Sequence, residues 1–303
     1  MDLLVVGDAN PDLVLRGDVR PRFGQAEQLL TGADLVLGGS AAITAAGCAR
    51  LGLDTTLLTA LGDDVFATIT RRHLEERGVA LLLRPADGTP TGLSVILTPA
   101  DDDRAILTLP GTIPALRPQD VTDAHLAATR HLHVSSLYLQ PRLASGLAAV
   151  FARARALGVG TSLDTNWDPT GRWASITEIL EHTDVFLPNA GELRAVTGLS
   201  DPDEAAARLV ATGTTVVMKN GAAGARAWWP GGGCAAPGRP VEVVDTTGAG
   251  DSFNAGFLAG RLAGLPVAEA LRWATAAGSL STRAAGGTAA QATRDELLPA
   301  LRH

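Results

Sequence analysis

Hydrophobic residues fall along this chain in two textures. Leu3 to Val6 form a short, continuous apolar run closed by Gly7, and from about residue 130 similar runs follow in RHLHVSSL, GVGTSLDTN, DVFLPN, TTVVMKNG and VEVVDTT. Runs without polar alternation are buried on both faces, as in a parallel sheet. Stretches of helical spacing, 143–157 and 202–212, separate most of them. Strands alternating with helices predict βα units and a mostly parallel sheet covered on both faces.

The second texture is early and alternating. Residues 12–37 place Leu13, Leu15, Leu35 and Leu37 around a Gly/Pro-rich centre, while TGLSVILT (91–98) and RAILTL (104–109) read as a hairpin joined by PADDD. Alternation predicts strands exposed on one face. Asp101, Asp102 and Asp103 then make a solvated turn rather than a metal site. The expected organisation is one α/β domain over 1–303, with a small β element from segments 12–37 and 90–111 acting as a lid over a site. GGSAAITAAGCARLG (38–52) sets two glycines before small residues at helical spacing, which predicts a closely packed helix whose start is open to a ligand. His131 and His133 share one strand face with no Cys/His/Asp cluster nearby and read as core or rim residues.

Composition narrows the partners. The 303 residues are 46% hydrophobic, enough for a large core, and carry a formal charge of −7 without a basic block. That argues against nucleic acid or an anionic membrane as partner. Cys48 and Cys234 fit neither a disulfide framework nor a zinc spacing. The N-terminus lacks the basic region of a signal peptide, and no apolar run reaches the roughly 18 residues of a membrane span. A cytoplasmic setting is expected.

The chemistry concentrates in VVDTTGAGDSFNAGF (243–257). Gly248, Ala249 and Gly250 open a helix whose Phe253, Phe257 and Leu258 form one apolar face. Unencumbered N–H groups at a helix start converge with the positive dipole end to make an anion hole. Asp251, in the first turn, repels a phosphate as a ligand but makes sense as a base that takes a proton from a hydroxyl during phosphoryl transfer. Taken alone, GAGD is equally readable as a glycine-shaped helix start with an N-terminal Asp. It lacks the third Gly/Ala of a dinucleotide fingerprint, and the chain has neither a GxxxxGK(S/T) loop nor an HRD and DFG pair.

Read with the rest of the chain, DTTGAGDSF resembles the signature of the PfkB/ribokinase family of carbohydrate kinases. GDANPD resembles that family's first substrate loop, GGSAAITAAGCARLG its Gly-Gly motif, PNAGE its N-x-x-E motif and KNGAAGA its nucleotide-side G-x-x-G. The resemblance implies a ribokinase-like, doubly wound α/β body with a β-sheet lid and an ATP-dependent sugar kinase that uses Mg²⁺. It implies Asp251 as catalytic base, with Gly248, Ala249 and Gly250 as the anion hole. Asn10, Asp12, Gly38 and Gly39 would hold the sugar, joined by Asn166 from a D-x-N-x-R-like stretch whose arginine is displaced to Arg172. Asn189 and Glu192 would order Mg²⁺ and phosphates through water, and Gly221 and Gly224 would let backbone approach the nucleotide. Lys219, the chain's only lysine, would reach a phosphate. Asp245 and the Thr247 carbonyl would bind a monovalent cation such as K⁺, and lids would pair into a homodimer. Ile43 stands where the family carries a substrate-binding Asn, so the acceptor is weakly constrained. A nucleoside kinase and a non-catalytic ligand-binding relative remain the alternatives.

Overall fold

The computed structural model describes residues 1–99 and 104–301; the turn expected at Asp101–Asp103 lies outside them. The chain begins with β1 (Leu3–Val6), β2 (Asn10–Gly17), β3 (Leu30–Gly38), α1 (Ser40–Arg50), β4 (Thr55–Ala60), α2 (Val65–Glu75), β5 (Ala80–Arg84), β6 (Leu93–Thr98) and β7 (Ala105–Leu109). It continues through α3 (Asp123–Ala127), β8 (His131–Ser135), α4 (Pro141–Ala144), α5 (Leu147–Ala156), β9 (Gly160–Asp164), α6 (Ile176–Leu180), β10 (Val185–Phe186), α7 (Ala190–Thr197) and α8 (Pro202–Val210). Last come β11 (Thr215–Lys219), β12 (Ala225–Trp229), β13 (Gly232–Ala236), α9 (Ala249–Leu262), α10 (Val267–Ser281) and α11 (Arg294–Ala300).

Nine strands form one sheet in the order β13-β12-β11-β10-β9-β8-β1-β4-β5, parallel from β5 to β11. All four residues of β1 are fully buried, as a continuous apolar run at the centre of a two-faced sheet requires. One core layer draws on α1, α9 and α10, the other on α5 and α6. A separate sheet, β3-β2-β6-β7, comes from the two early segments. The architecture is a doubly wound α/β fold with a small second sheet. Strand order reverses at β1, between β4 and β8, and ligands of such sheets bind outside the strand carboxyl ends at that switch.

The structure corrects two readings. VEVVDTT is not a strand: Val243 and Val244 are 58% and 61% exposed. The chain leaves the sheet after β13, and the N–H groups of Val244 and Asp245 donate to the Thr282 carbonyl at the end of α10, at 2.8 and 3.1 Å. The helix expected over 143–157 breaks into α4 and α5 at Gly146, which leaves helical geometry at φ −136° and packs so close to Pro118 that a Cβ would lie 2.5 Å from its Cγ. His131 and His133 lie within the sheet, both bonded to Ser162 Oγ at 2.8 Å, and burial lowers them to about 4 and about 3. They stay neutral.

Small residues let α9 approach both neighbours. A Cβ on Gly256 would meet the Trp273 carbonyl at 2.7 Å and Ala274 Cα at 2.9 Å, both backbone atoms of α10. Gly256→Ala gains up to about 1 kcal/mol of helix propensity but forces apart a packed layer at about 1–3 kcal/mol. The variant should unfold at a Tm lower by roughly 2–6 °C in calorimetry. A Tm equal to or above that of the native protein would show that α9 and α10 separate freely.

Candidate active site

Gly248 precedes α9 in the left-handed region, at φ 69°, and no side chain caps the helix. Only glycine fits there: a Cβ would lie 2.7 Å from Gly287 Cα and 3.1 Å from Ile43 Cγ2. The N–H groups of the first turn therefore keep their capacity for an anion. Ala249 and Gly250 line a cavity of about 420 Å³, with Lys219, Gly221, Gly224 and Phe253 around it. Around a Cβ built on Gly250 only Lys219 comes within 4 Å, its Cδ and Nζ both at 3.7 Å.

Lys219 ends β11 and Asp164 ends β9, and their side chains pair at 2.6 Å. Asn254, one turn into α9 and fully buried, donates to the same Asp164 oxygen, and its own carbonyl oxygen lies 3.4 Å from Lys219 Nζ. Burial alone would raise Asp164 and lower Lys219. The pair reverses both: the ammonium and its hydrogen bond hold Asp164 below the usual carboxylate range, while Asp164 and Glu192 hold Lys219 above its own. Asn189 and Glu192 cap α7 reciprocally, each backbone N–H donating to the other's side chain at 2.8 Å. Burial, then the charge of Asp164, pushes Glu192 up to about 7.

Asp251 accepts from the Ser40 hydroxyl at the start of α1. Loss of water, then the charge of Asp164, pushes Asp251 up to about 7 against the opposing pull of Ser40 and Lys219. Beside it lies Asp8, which follows β1 and accepts from Ser40 N at 3.2 Å, Ala41 N at 3.0 Å and Ser136 Oγ at 3.0 Å. Asp8 thus ties the ends of β1 and β8 to α1 at the switch point. Asn10 donates to Asp12 at 2.9 Å, and burial pushes Asp12 up to about 7. A Cβ at Gly38 would stand 2.0 Å from Asp12 Oδ1, and one at Gly39, whose φ is 86°, would lie 2.8 Å from the Asp8 carbonyl.

Other expected residues are placed differently from the simple reading. Ile43 is 3% exposed and lies against Gly248 and Gly287, bracing the start of α9. Gly224 packs against backbone, 2.1 Å separating its would-be Cβ from the Ala236 carbonyl, whereas Gly221 has open space there. Asp245 already receives Thr247 N and Gly286 N at 2.8 Å each, and Thr247 Oγ1 receives Arg104 from the small sheet at 2.9 Å. In DTNWD, Asp168 occupies the place of the family arginine and fastens a turn through Thr170 N and Trp173 N; Arg172 is exposed outside the site. Asp8, Ser40, Ser136 and Asn254 escaped the motif reading. Asp8, Ser40 and Asn254 lie inside the stretches GDANPD, GGSAAITAAGCARLG and VVDTTGAGDSFNAGF and were within reach of the sequence, whereas Ser136 lies in a plain strand run.

A carboxylate thus stands at an uncapped helix start near the switch point of the doubly wound sheet, with the half-buried Lys219 beside Gly250 on the same cavity. The chain matches the model of the pfkB family carbohydrate kinases over residues 1–294 and belongs to that family. It is 33% identical over 294 residues, 95% of this chain and 94% of the relative, to an ATP-dependent ribose-1-phosphate kinase from Halopiger xanaduensis. Its structure resembles that of Arabidopsis thaliana ribokinase complexed with ribose and ATP, at TM-score 0.86 and 26% identity, covering 100% of this chain and 99% of that one. Adenosine kinase from Sinorhizobium meliloti is similar at TM-score 0.86 and 25% identity, covering 99% and 98%. The chain is an ATP-dependent carbohydrate kinase.

Lys219→Met removes the ammonium and leaves Asp164 buried without its cation. Breaking such a pair costs about 3–5 kcal/mol, and KM for ATP should rise more than KM for the sugar. A carboxylate held low contributes stability above its unfolded value, near 4, and loses it as pH falls through the folded value. Lys219, held high, contributes below its unfolded value and loses that contribution as pH rises through the folded one. The deficit of the variant should thus be largest at pH 7–8 and shrink towards pH 4–5, where its Asp164 protonates. Urea unfolding at both ends checks this; an equal deficit at both would refute the pairing as the source.

Proposed function

We propose that the chain transfers the γ-phosphoryl group of ATP to a hydroxyl, a primary alcohol, of a small carbohydrate, with Asp251 as general base and the first turn of α9 as anion hole. One observation carries this reading: the Asp251 carboxylate stands in the first turn of an uncapped helix, beside Gly250 and the 420 Å³ cavity that Lys219 also lines. A base pushed up to about 7 takes a proton at neutral pH and returns it readily. As the acceptor oxygen bonds to phosphorus, its proton passes to Asp251 while the α9 N–H groups and Lys219 face the charge on the transferred group. Asn10 and Asp12 orient hydroxyls, with the small sheet acting as a lid.

Mg²⁺ fits the same residues. Among the described residues no group of three or more His, Cys, Asp or Glu side chains could hold a metal ion alone, in keeping with an ion carried by phosphates, water and one or two carboxylates. Glu192, buried and pushed up to about 7, is the carboxylate that nearby positive charge would relieve, with Asn189 beside it. The ion would neutralise phosphate charge. A K⁺ at Asp245 and the Thr247 carbonyl would share its surroundings with the Arg104 guanidinium, a positive charge that opposes a second one. Apolar residues exposed on the small sheet, among them Ile106, Leu107 and Leu109 at 52%, 60% and 52%, support pairing of lids into a homodimer. No helix of the described residues is long and apolar enough to cross a membrane, and a cytoplasmic setting is kept as part of this reading.

A nucleoside is the second acceptor class, favoured by the likeness to adenosine kinase. A panel of pentoses, hexoses, sugar 1-phosphates and nucleosides, assayed by ATP-dependent ADP release, separates the classes. With the best acceptor, Asp251→Asn should lower kcat about 10²–10⁴-fold while nucleotide affinity and the far-UV spectrum stay unchanged. Retention of more than a tenth of native kcat would remove Asp251 from the role of base.

A further inference from the structure

Ser40 is the first residue of α1, and its hydroxyl lies between two acceptors. It donates to Asp251 Oδ1 in a short contact, and Asn166 Oδ1 stands 3.3 Å away on the other side. A hydroxyl has one proton and serves one of these at a time. Beyond Asn166 the bonds continue in one direction: Asn166 Nδ2 donates to Ser136 Oγ at 3.2 Å, and Ser136 donates to Asp8 Oδ2 at 3.0 Å. Burial raises the proton affinity of Asp8, but the N–H groups of Ala41 and Ser40 and the Ser136 hydroxyl oppose it by donating to both its oxygens. With Asp8 as acceptor, the direction is set from the far end. Ser136 spends its only proton on Asp8, so it accepts from the Asn166 amide, and the Asn166 oxygen must face Ser40. Asn166 is itself held in the left-handed region, at φ 51°, with its N–H on Asp164 Oδ1 at 3.2 Å.

We propose that Ser40 is a positioning residue with two settings, donating to the ionised Asp251 before transfer and turning to donate to Asn166 once Asp251 carries the acceptor's proton. In the second setting the protonated carboxyl donates to Ser40 Oγ, so neither protonation state of the base leaves a polar atom unpaired. The step itself is balanced without the relay. The acceptor oxygen forms its bond to the γ-phosphorus and its proton moves to Asp251. The bond from that phosphorus to the β–γ bridging oxygen breaks, and ADP leaves with the electron pair. No proton travels to Asp8; only the direction of the Ser40 bond changes. The inference rests on Asp251 being the base. The charged groups that face Asp251 are Asp8 after β1, Asp164 on β9 and Lys219 on β11; neither substitution below removes a charge, and the Asn166 N–H on Asp164 Oδ1 belongs to the backbone.

The test is the pH dependence of kcat/KM for the full chain, with saturating ATP and the best acceptor of the panel. Ser40→Ala removes the donor that favours the ionised base. A hydrogen bond to a charged acceptor is stronger than one to a neutral acceptor, so the acid limb should move up by about half to one pH unit, three- to tenfold in proton affinity. Asn166→Leu removes the acceptor needed only when the base is protonated, so it should move the same limb down while lowering kcat. Opposite shifts support the proposal; any other combination overturns it, since a merely structural loss would lower activity without dividing the limbs. If Ser40→Ala does not fold, the Asn166→Leu limb decides alone, downward in support and unmoved or upward against. Asp251→Asn runs beside them: an active Asp251→Asn enzyme would refute the base itself, whereas an inactive one with unmoved limbs in the others would refute only Ser40.

Discussion

The buried pair between Lys219 and Asp164 is the constraint on which the rest of the site depends. It joins the carboxyl ends of β11 and β9, and Asn254 binds both partners, so the start of α9 is referenced to the sheet at one point. A buried ion pair is weak evidence of net stability, because desolvating two charges offsets most of their attraction. What it secures here is geometry and charge. The single ammonium must serve Asp164, Glu192 and Asp251, and it is matched most closely to Asp164. The other two are left with raised proton affinity.

The second constraint is backbone proximity. Gly39 and Gly248 start the two helices that meet at Asp251, each in a conformation with positive φ and each with no room for a Cβ. Between those helices a Cβ on Gly47 would come within 2.7 Å of Ala255 Cβ. The site thus exists because three helices on one face of the sheet are built from small residues. A larger residue in that layer would move the α9 start away from Ser40 before it touched any ligand.

Much of this was legible in the sequence. Continuous apolar runs gave the strands of the parallel sheet, the alternating early segments coincide with the second sheet, and the glycine-flanked helix start gave the candidate anion hole. The failures have physical causes. VEVVDTT has the composition of a strand, but the N–H groups of Val244 and Asp245 bond the Thr282 carbonyl at the end of α10 instead of a neighbouring strand. The glycine spacing of KNGAAGA suggested ligand approach at Gly221 and Gly224 alike; both line the cavity, and Gly224 also makes room for the chain at Ala236. Asp8 lies inside GDANPD, yet that motif pointed to Asn10 and Asp12; the part Asp8 plays comes from the ends of β1 and β8 lying side by side, a contact across 128 positions. Long-range polar partners of this kind leave no local pattern.

The acceptor's chemistry is bounded by what the pocket can still offer. Asp12, pushed up to about 7, accepts from Asn10 and sits near Ser94, so it can bind hydroxyls as carboxylate or acid. Ile43 offers no hydrogen bond, and it packs against Gly248 and Gly287. An Asn there would bury polar atoms against two glycines, and leaving them unpaired costs about 1–3 kcal/mol. The apolar side chain is therefore coupled to the shape of the α9 start, and a change at this position moves Gly248 before it touches anything else.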